Sequence, residues 1–174
     1  GRLVKIARSL SSLFSSTQVV GIDQGALPTD EAVAPTVHLT RIRGASLGAP
    51  LGGLRVVAAW GARVYRRFAC ERVAAVSAQN LFLLPLAHAL ARRTGAVFAY
   101  NAHELETETV GSAGLRQRLQ RVIERRYIHR ADVVSVVNES IAQWYREAYP
   151  GVDPVVVTNA PTGAEGVIDL RARL

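Results

Sequence analysis

From residue 72 to residue 157, short apolar runs alternate with stretches of helical periodicity, and this alternation leaves few folds open to the chain. Arg72–Ser77, Ala96–Tyr100, Asp132–Val137 and Pro154–Val157 read as strands. Between the first two, Asn80 is placed to cap a helix that runs to about Arg93, and Gly95 to end it. Gly114–Arg130 reads as a helix with Leu115, Leu119, Val122, Ile123 and Tyr127 inward. Asn138 or Ser140 caps a further helix reaching about Tyr149. Strands separated by whole helices pair in parallel through right-handed crossovers. The expected class is therefore α/β, Rossmann-like, with a mainly parallel sheet and helices on both faces.

The first seventy residues fit the same class. Leu3, Ile6, Ala7, Leu10, Leu13 and Phe14 recur at helical spacing, so residues 2–14 read as a helix. Thr17–Ile22 and Thr36–Ile42 read as strands, and residues 24–35 and 43–53, rich in Gly and Pro, as loops. Leu54–Phe68 carries Val57, Trp60, Gly61, Val64 and Phe68 on one helical face. Residues 1–158 are expected to form one Rossmann-like domain and 159–174 the start of a linker.

With 174 residues, 49% of them hydrophobic, the chain is long enough to bury a core. Its formal net charge is +7, carried almost wholly by Arg, since Lys5 is the only Lys. A basic balance favours phosphate-bearing or anionic partners. Nucleic acid is not expected among them, because only 6% of residues are aromatic and no recognition motif stands out. Cys70 is the single cysteine, which excludes an intrachain disulfide and fits a reducing compartment. Met is absent even at position 1, so the chain reads as processed or cut from a longer one. No stretch has the length of a membrane span, and no secretory signal peptide is evident.

Candidate chemistry gathers where strands end. In open α/β sheets, ligands bind beyond the carboxyl ends of the strands. Asp23, Gln79 with Asn80, Asn101 through Glu104, Asn138 with Glu139, and Thr158 with Asn159 all stand there. His103 is the sharpest candidate, because an imidazole exchanges or shares a proton near neutral pH. His38, His88 and His129 are isolated, and neither HxxxH nor CxxC spacing occurs, so no metal site is expected. GxGxxG, Walker and GxSxG sequences are also missing, so no cofactor is expected. Residues 115–130 form a basic amphipathic helix with Arg116, Arg118, Arg121, Arg125, Arg126 and Arg130. That face reads either as an ordinary solvated one or as a contact with anionic membrane.

Several segments, in order, resemble the N-terminal domain of GT-B-fold glycosyltransferases of the retaining, family-4 type. They are Gly1-Arg-Leu-Val-Lys-Ile-Ala-Arg-Ser-Leu10; Val73-Ala-Ala-Val-Ser-Ala-Gln-Asn-Leu-Phe-Leu-Leu-Pro-Leu-Ala87; Phe98-Ala-Tyr-Asn-Ala-His-Glu-Leu105; Ile123-Glu-Arg125 with Ala131-Asp-Val-Val134; and Val155-Val-Val-Thr-Asn-Ala-Pro161. The similarity spans almost the whole chain. It implies that His103 lies in the cleft near the transferred sugar, as the catalytic residue. It implies contacts to acceptor or substrate from Arg2, Gln79, Asn80, Asn101, Glu104 and Asn138. Asn101 stands where many relatives have Asp, and Gln79-Asn80 where many have His-Asp. Asn159 and Pro161 match the start of the interdomain hinge.

The resemblance also implies partners. A nucleotide sugar would be held by a second, C-terminal domain that the chain lacks, and a glycan or lipid-linked acceptor by this one. The family's first strand and its Gly-bearing loop would precede Gly1, and an unfilled place in the sheet would favour self-association through exposed edges. The expected location is cytoplasmic, with peripheral contact at the inner face of the membrane through helix 115–130. Three readings stay open. The chain is the acceptor-side part of a hexosyltransferase, inactive alone; or a non-catalytic acceptor-binding or membrane-docking subunit that needs a partner chain; or another nucleotide-binding α/β protein.

Overall fold

The computed structural model describes residues 2–23, 25, 27–44, 52–105 and 114–158. They fall into two compact units, one built from 1–73 with 92–94, the other from 74–91 with the residues from 95 onward. The expected hinge residues Asn159 and Pro161, and the side chain of Arg2, lie outside the described residues.

In the first unit, β1 (Thr17–Asp23) pairs in parallel with β3 (Val37–Arg43), from Thr17 opposite Val37 to Asp23 opposite Arg43. A further strand, β2 (Asp30–Ala34), lies antiparallel on the other side of β3, with a register shift between Ala32 and Ala34. The sequence reading placed 24–35 in a loop. The strand escapes it because Asp30 and Glu31 sit on an exposed edge and show no apolar alternation. Polar pairing holds this edge: Glu31 accepts from Arg41 at 2.7 Å, and Thr40 donates to Asp30 at 2.6 Å.

Helix α1 (Arg2–Leu10) is shorter than the apolar spacing predicts. Ser9, Ser11 and Ser12 turn their hydroxyls back onto the carbonyls of Lys5, Arg8 and Ser9. Such bonds compete with helix continuation, and Leu13 is left exposed. Helix α2 (Gly52–Phe68) buries Trp60 and Val64 as expected, and the Trp60 indole donates to the Ile42 carbonyl at 3.1 Å. Gly44 is required here, since a Cβ would stand 2.8 Å from Ile22 Cγ2 and 3.3 Å from Trp60 Cδ1.

The second unit is a four-stranded, all-parallel sheet in the order β4 (Ala75–Ala78), β5 (Val97–Ala102), β6 (Val133–Val136), β7 (Val155–Val156). The crossovers are α3 (Leu84–Thr94), α4 (Leu115–Tyr127) and α5 (Glu139–Ala148). Successive strands add on one side, so right-handed crossovers stack these helices over one sheet face. That face supplies Ala78, Phe98, Tyr100, Ala102, Val134 and Val136 to a core shared with Leu84, Ala87, Ile128, Ala142 and Tyr145. Alternation puts Val97, Val133 and Val155 on the opposite face, where all three are exposed.

Local chemistry explains the joints. Gly95 ends α3 in the left-handed region at φ 72, its N–H reaching the Ala91 carbonyl. Asp132 brackets the start of the β5–β6 pair: its N–H donates to the Phe98 carbonyl at 2.8 Å and its carboxylate accepts from the Phe98 N–H at 2.7 Å.

The inward row of α4 differs from the sequence reading. Val122 is 63% exposed, whereas Gln120 and Glu124 are buried. Glu124 takes the inward place because α5 and the turn after it offer two donors there. The Tyr145 hydroxyl donates to Oε1 at 2.7 Å and the Tyr149 hydroxyl to Oε2 at 2.8 Å. Burial, then the nearby Tyr100 and Glu124, holds the Tyr145 phenol well above its ordinary pKa. Burial, then Glu124, raises that of Tyr149 too.

Candidate functional site

All four strands of the second unit are parallel and nearly in step, with Ala78 opposite Tyr100, Ala102 opposite Val136, and Val136 opposite Val156. Their carboxyl ends therefore form one edge. Gln79 and Asn80 leave β4 there, His103 and Glu104 leave β5, and Asn138 follows β6. The edge is polar for a physical reason: the last strand residues are buried, and the chain must turn from core to solvent within one or two positions.

Two of the expected residues meet directly. His103 Nε2 lies 3.0 Å from Gln79 Oε1, and both side chains are half-buried. The carboxamide nitrogen of Gln79 donates to Ser77 Oγ at 2.8 Å. A hydroxyl, an amide and an imidazole thus form a short chain across the ends of β4 and β5. Its members are hydrogen-bonding groups, suited to grip hydroxyl-rich ligands.

The other expected residues are placed differently. Asn80 Oδ1 accepts the Phe82 N–H at 3.0 Å and caps the 3-10 turn Leu81–Leu83. Asn138 Oδ1 accepts the Ile141 N–H at 2.9 Å and caps α5. Both oxygens are thereby engaged in starting helices, and a carboxamide N–H₂ offers two further donors. Asn101 belongs to β5 itself, since the strand runs on to Ala102; its side chain alternates with Tyr100 onto the less covered face. Glu104 is exposed. Arg2 opens α1 in the first unit.

Sequence reasoning assigned no role to Ser77, which orients Gln79. The available signal was its position two residues before Gln79, on the same face of an alternating strand. Nor did it see that Glu124 is the only acidic residue of α4 and is buried. The outward face of that helix is basic: Arg118, Arg121, Arg125 and Arg126 are exposed around Val122. Among the described residues no cluster of three or more His, Cys, Asp or Glu could hold a metal ion. No described helix is long and apolar enough to cross a membrane.

Comparison with known proteins gives the family and the fold. The chain matches the profile of the glycosyl transferase 4-like domain over residues 2–163. Its fold is similar to that of sucrose-phosphate synthase from Thermosynechococcus elongatus, with a TM-score of 0.69 at 9% identity, covering 92% of this chain and 85% of that one. Comparison with curated protein sequences finds no match. A family match over residues 2–163, on a chain with the same fold, shows that the chain belongs to the glycosyl transferase 4-like domain family.

Proposed function

We propose that this chain forms the acceptor side of a retaining glycosyltransferase that moves a hexose from a nucleotide sugar to a glycan or lipid-linked acceptor. The observation that carries the reading is the His103–Gln79 pair at the carboxyl edge of β4 and β5, in a chain of this family. His103 contacts a hydroxyl of the transferred sugar. The carboxamide N–H₂ groups of Asn80 and Asn138, with Asn101, Glu104 and Arg2, contribute to the acceptor side. A second domain of the complete protein, joined through Asn159 and Pro161, holds the donor and stabilises charge on the leaving diphosphate. The protein works in the cytoplasm, where nucleotide sugars are made.

The exposed arginines of α4 favour a further element, peripheral contact with the anionic inner face of the membrane. The same face serves equally a subunit that binds the acceptor and leaves catalysis to a partner chain.

Transfer kinetics separate these readings. His103→Ala in the complete enzyme lowers kcat/KM by on the order of 100-fold or more with an unchanged unfolding midpoint. Near-normal transfer by that variant removes the histidine from the reaction. Residues 1–174 alone show neither sugar-nucleotide binding by calorimetry nor transfer; clear binding would place the donor on this domain and reverse the roles.

A further inference from the structure

We propose that Ser135 joins Asn101 as a binding residue, in a row of hydrogen-bonding side chains across the ends of β4, β5 and β6 that takes the neutral, hydroxyl-bearing part of the acceptor. The inference rests on the reading of this edge as a sugar-transfer site and adds a residue to it.

The row follows from the register. Ser135 of β6 stands directly opposite Asn101 of β5. The β4–β5 pairing, carried one step past Ala78 opposite Tyr100, brings Gln79 level with Asn101. Alternation puts Asn101 and Ser135 on one face, because Tyr100, Ala102, Val134 and Val136 all belong to the core on the other. His103 comes two positions after Asn101, and its 3.0 Å contact with Gln79 ties the row to the pair already described. Neighbouring strands lie about 4.8 Å apart, so Gln79, Asn101 and Ser135 span about 10 Å.

The face changes character along the strands. Towards their amino ends it carries Val97, Ala99 and Val133, and towards their carboxyl ends Asn101 and Ser135. Strands of a parallel sheet are ordinarily apolar, and asparagine is disfavoured in them. Asn101 and Ser135 stand side by side and half-buried, yet among the described residues neither side chain is engaged by another. Neither is among the side chains whose unpartnered polar atoms are sealed from solvent, so a ligand can reach both. Together they present an amide N–H₂, an amide oxygen and a hydroxyl, donors and acceptors at once. Sugar hydroxyls have the same dual character. Phosphate recognition favours Arg or Lys, and the row holds neither.

The test is side-chain amide NMR of the full chain, with the Asn101 signals identified by their loss in Asn101→Asp. The probes are the neutral sugars glucose, mannose, galactose and maltose, with inorganic pyrophosphate as the charged contrast. At least one sugar is expected to shift the Asn101 N–H₂ signals saturably, and pyrophosphate is not. Ser135→Ala should weaken that sugar's binding by about five-fold, the equivalent of one net hydrogen bond, with an unchanged unfolding midpoint. Asn101→Asp, which loses both amide donors, should weaken it as well and serves should the Ala variant fail to fold. No response to any of the sugars, a stronger response to pyrophosphate, or unchanged affinity in both variants would overturn the proposal. In the complete enzyme, Ser135→Ala should raise the KM for acceptor and not that for the nucleotide sugar; the reverse would assign the row to the donor and overturn it too. Normal transfer by His103→Ala would instead remove the histidine from the reaction and leave sugar binding by the row as found.

Discussion

Two polar constellations occupy the same parallel-sheet unit and differ in almost every physical respect. Glu124 with Tyr145 and Tyr149 is fully enclosed and engages each carboxyl oxygen with one phenol. Ser77, exposed, and Gln79 and His103, half-buried, stand at the ends of two strands and are joined by ordinary hydrogen bonds. The enclosed group is the stronger and the less able to act. A carboxylate sealed between two helices exchanges nothing with a ligand; it fixes α4 against α5. The open group lies at the strand ends, where the proposed function places a substrate. Under the proposed function, enclosure goes with a structural task and exposure at a strand end with ligand contact.

The sharpest way to break that contrast is to remove the enclosed carboxylate. Glu124→Ala leaves two buried phenol hydroxyls without their acceptor and opens a void between the helices. The expected loss in unfolding free energy is about 3 kcal/mol or more. Glu124→Gln keeps one acceptor and loses less. Denaturant unfolding of both variants measures the effect, and a change below about 1 kcal/mol for Glu124→Ala would mean that the cluster does not hold the helices. Substitution of Gln79 should leave the unfolding midpoint near that of wild type, the reverse pattern.

A second distinction appears on titration. Burial holds the Tyr145 phenol above its usual value, so the folded state keeps a proton that the unfolded chain releases near pH 10, at about the ordinary tyrosine pKa. The stability contributed by this group is complete below that pH and is lost as the pH climbs beyond it, by up to about 1.4 kcal/mol per pH unit. Tyr149 acts in the same direction. Unfolding curves recorded from pH 9 to pH 11 should therefore steepen in their pH dependence, and Tyr145→Phe should flatten them. Equal slopes for the two proteins would show that the phenol is not held as the geometry describes.

The sequence disclosed elements whose signals are local and periodic. Gly95 stops α3 and Asn138, one of two expected caps, starts α5, while β5 lies where a strand is expected but runs on two residues to Ala102. It failed where the cause lies in a distant partner. Apolar spacing assigned Val122 to the core, but the phenols of Tyr145 and Tyr149, more than twenty positions away, turn Glu124 inward and leave Val122 in solvent. Strand β2 was invisible because its pairing depends on Arg41 and Thr40 of the neighbouring strand. At the site, the clustering beyond strand ends was legible as topology. The link from His103 to Gln79 was not, since it needs the register of β4 against β5.

The smallest expected effect bears on the boundary between the two kinds of polar residue. Asn138 stands at the carboxyl edge of the sheet and does a structural task, its oxygen capping α5. Asn138→Ala should cost about 1 kcal/mol of stability through loss of the cap. Asn138→Ser restores a capping oxygen without restoring the carboxamide N–H₂, so stability returns to within a few tenths of a kcal/mol. The KM for acceptor should stay raised in the Ser variant if the amide also binds, and that is the expected result. Recovery of both quantities would confine Asn138 to capping and move it to the structural side of the comparison. The separation works because the two tasks use different atoms of one side chain: a cap needs only an acceptor, and a hydroxyl-rich ligand needs the donors that serine lacks in that geometry.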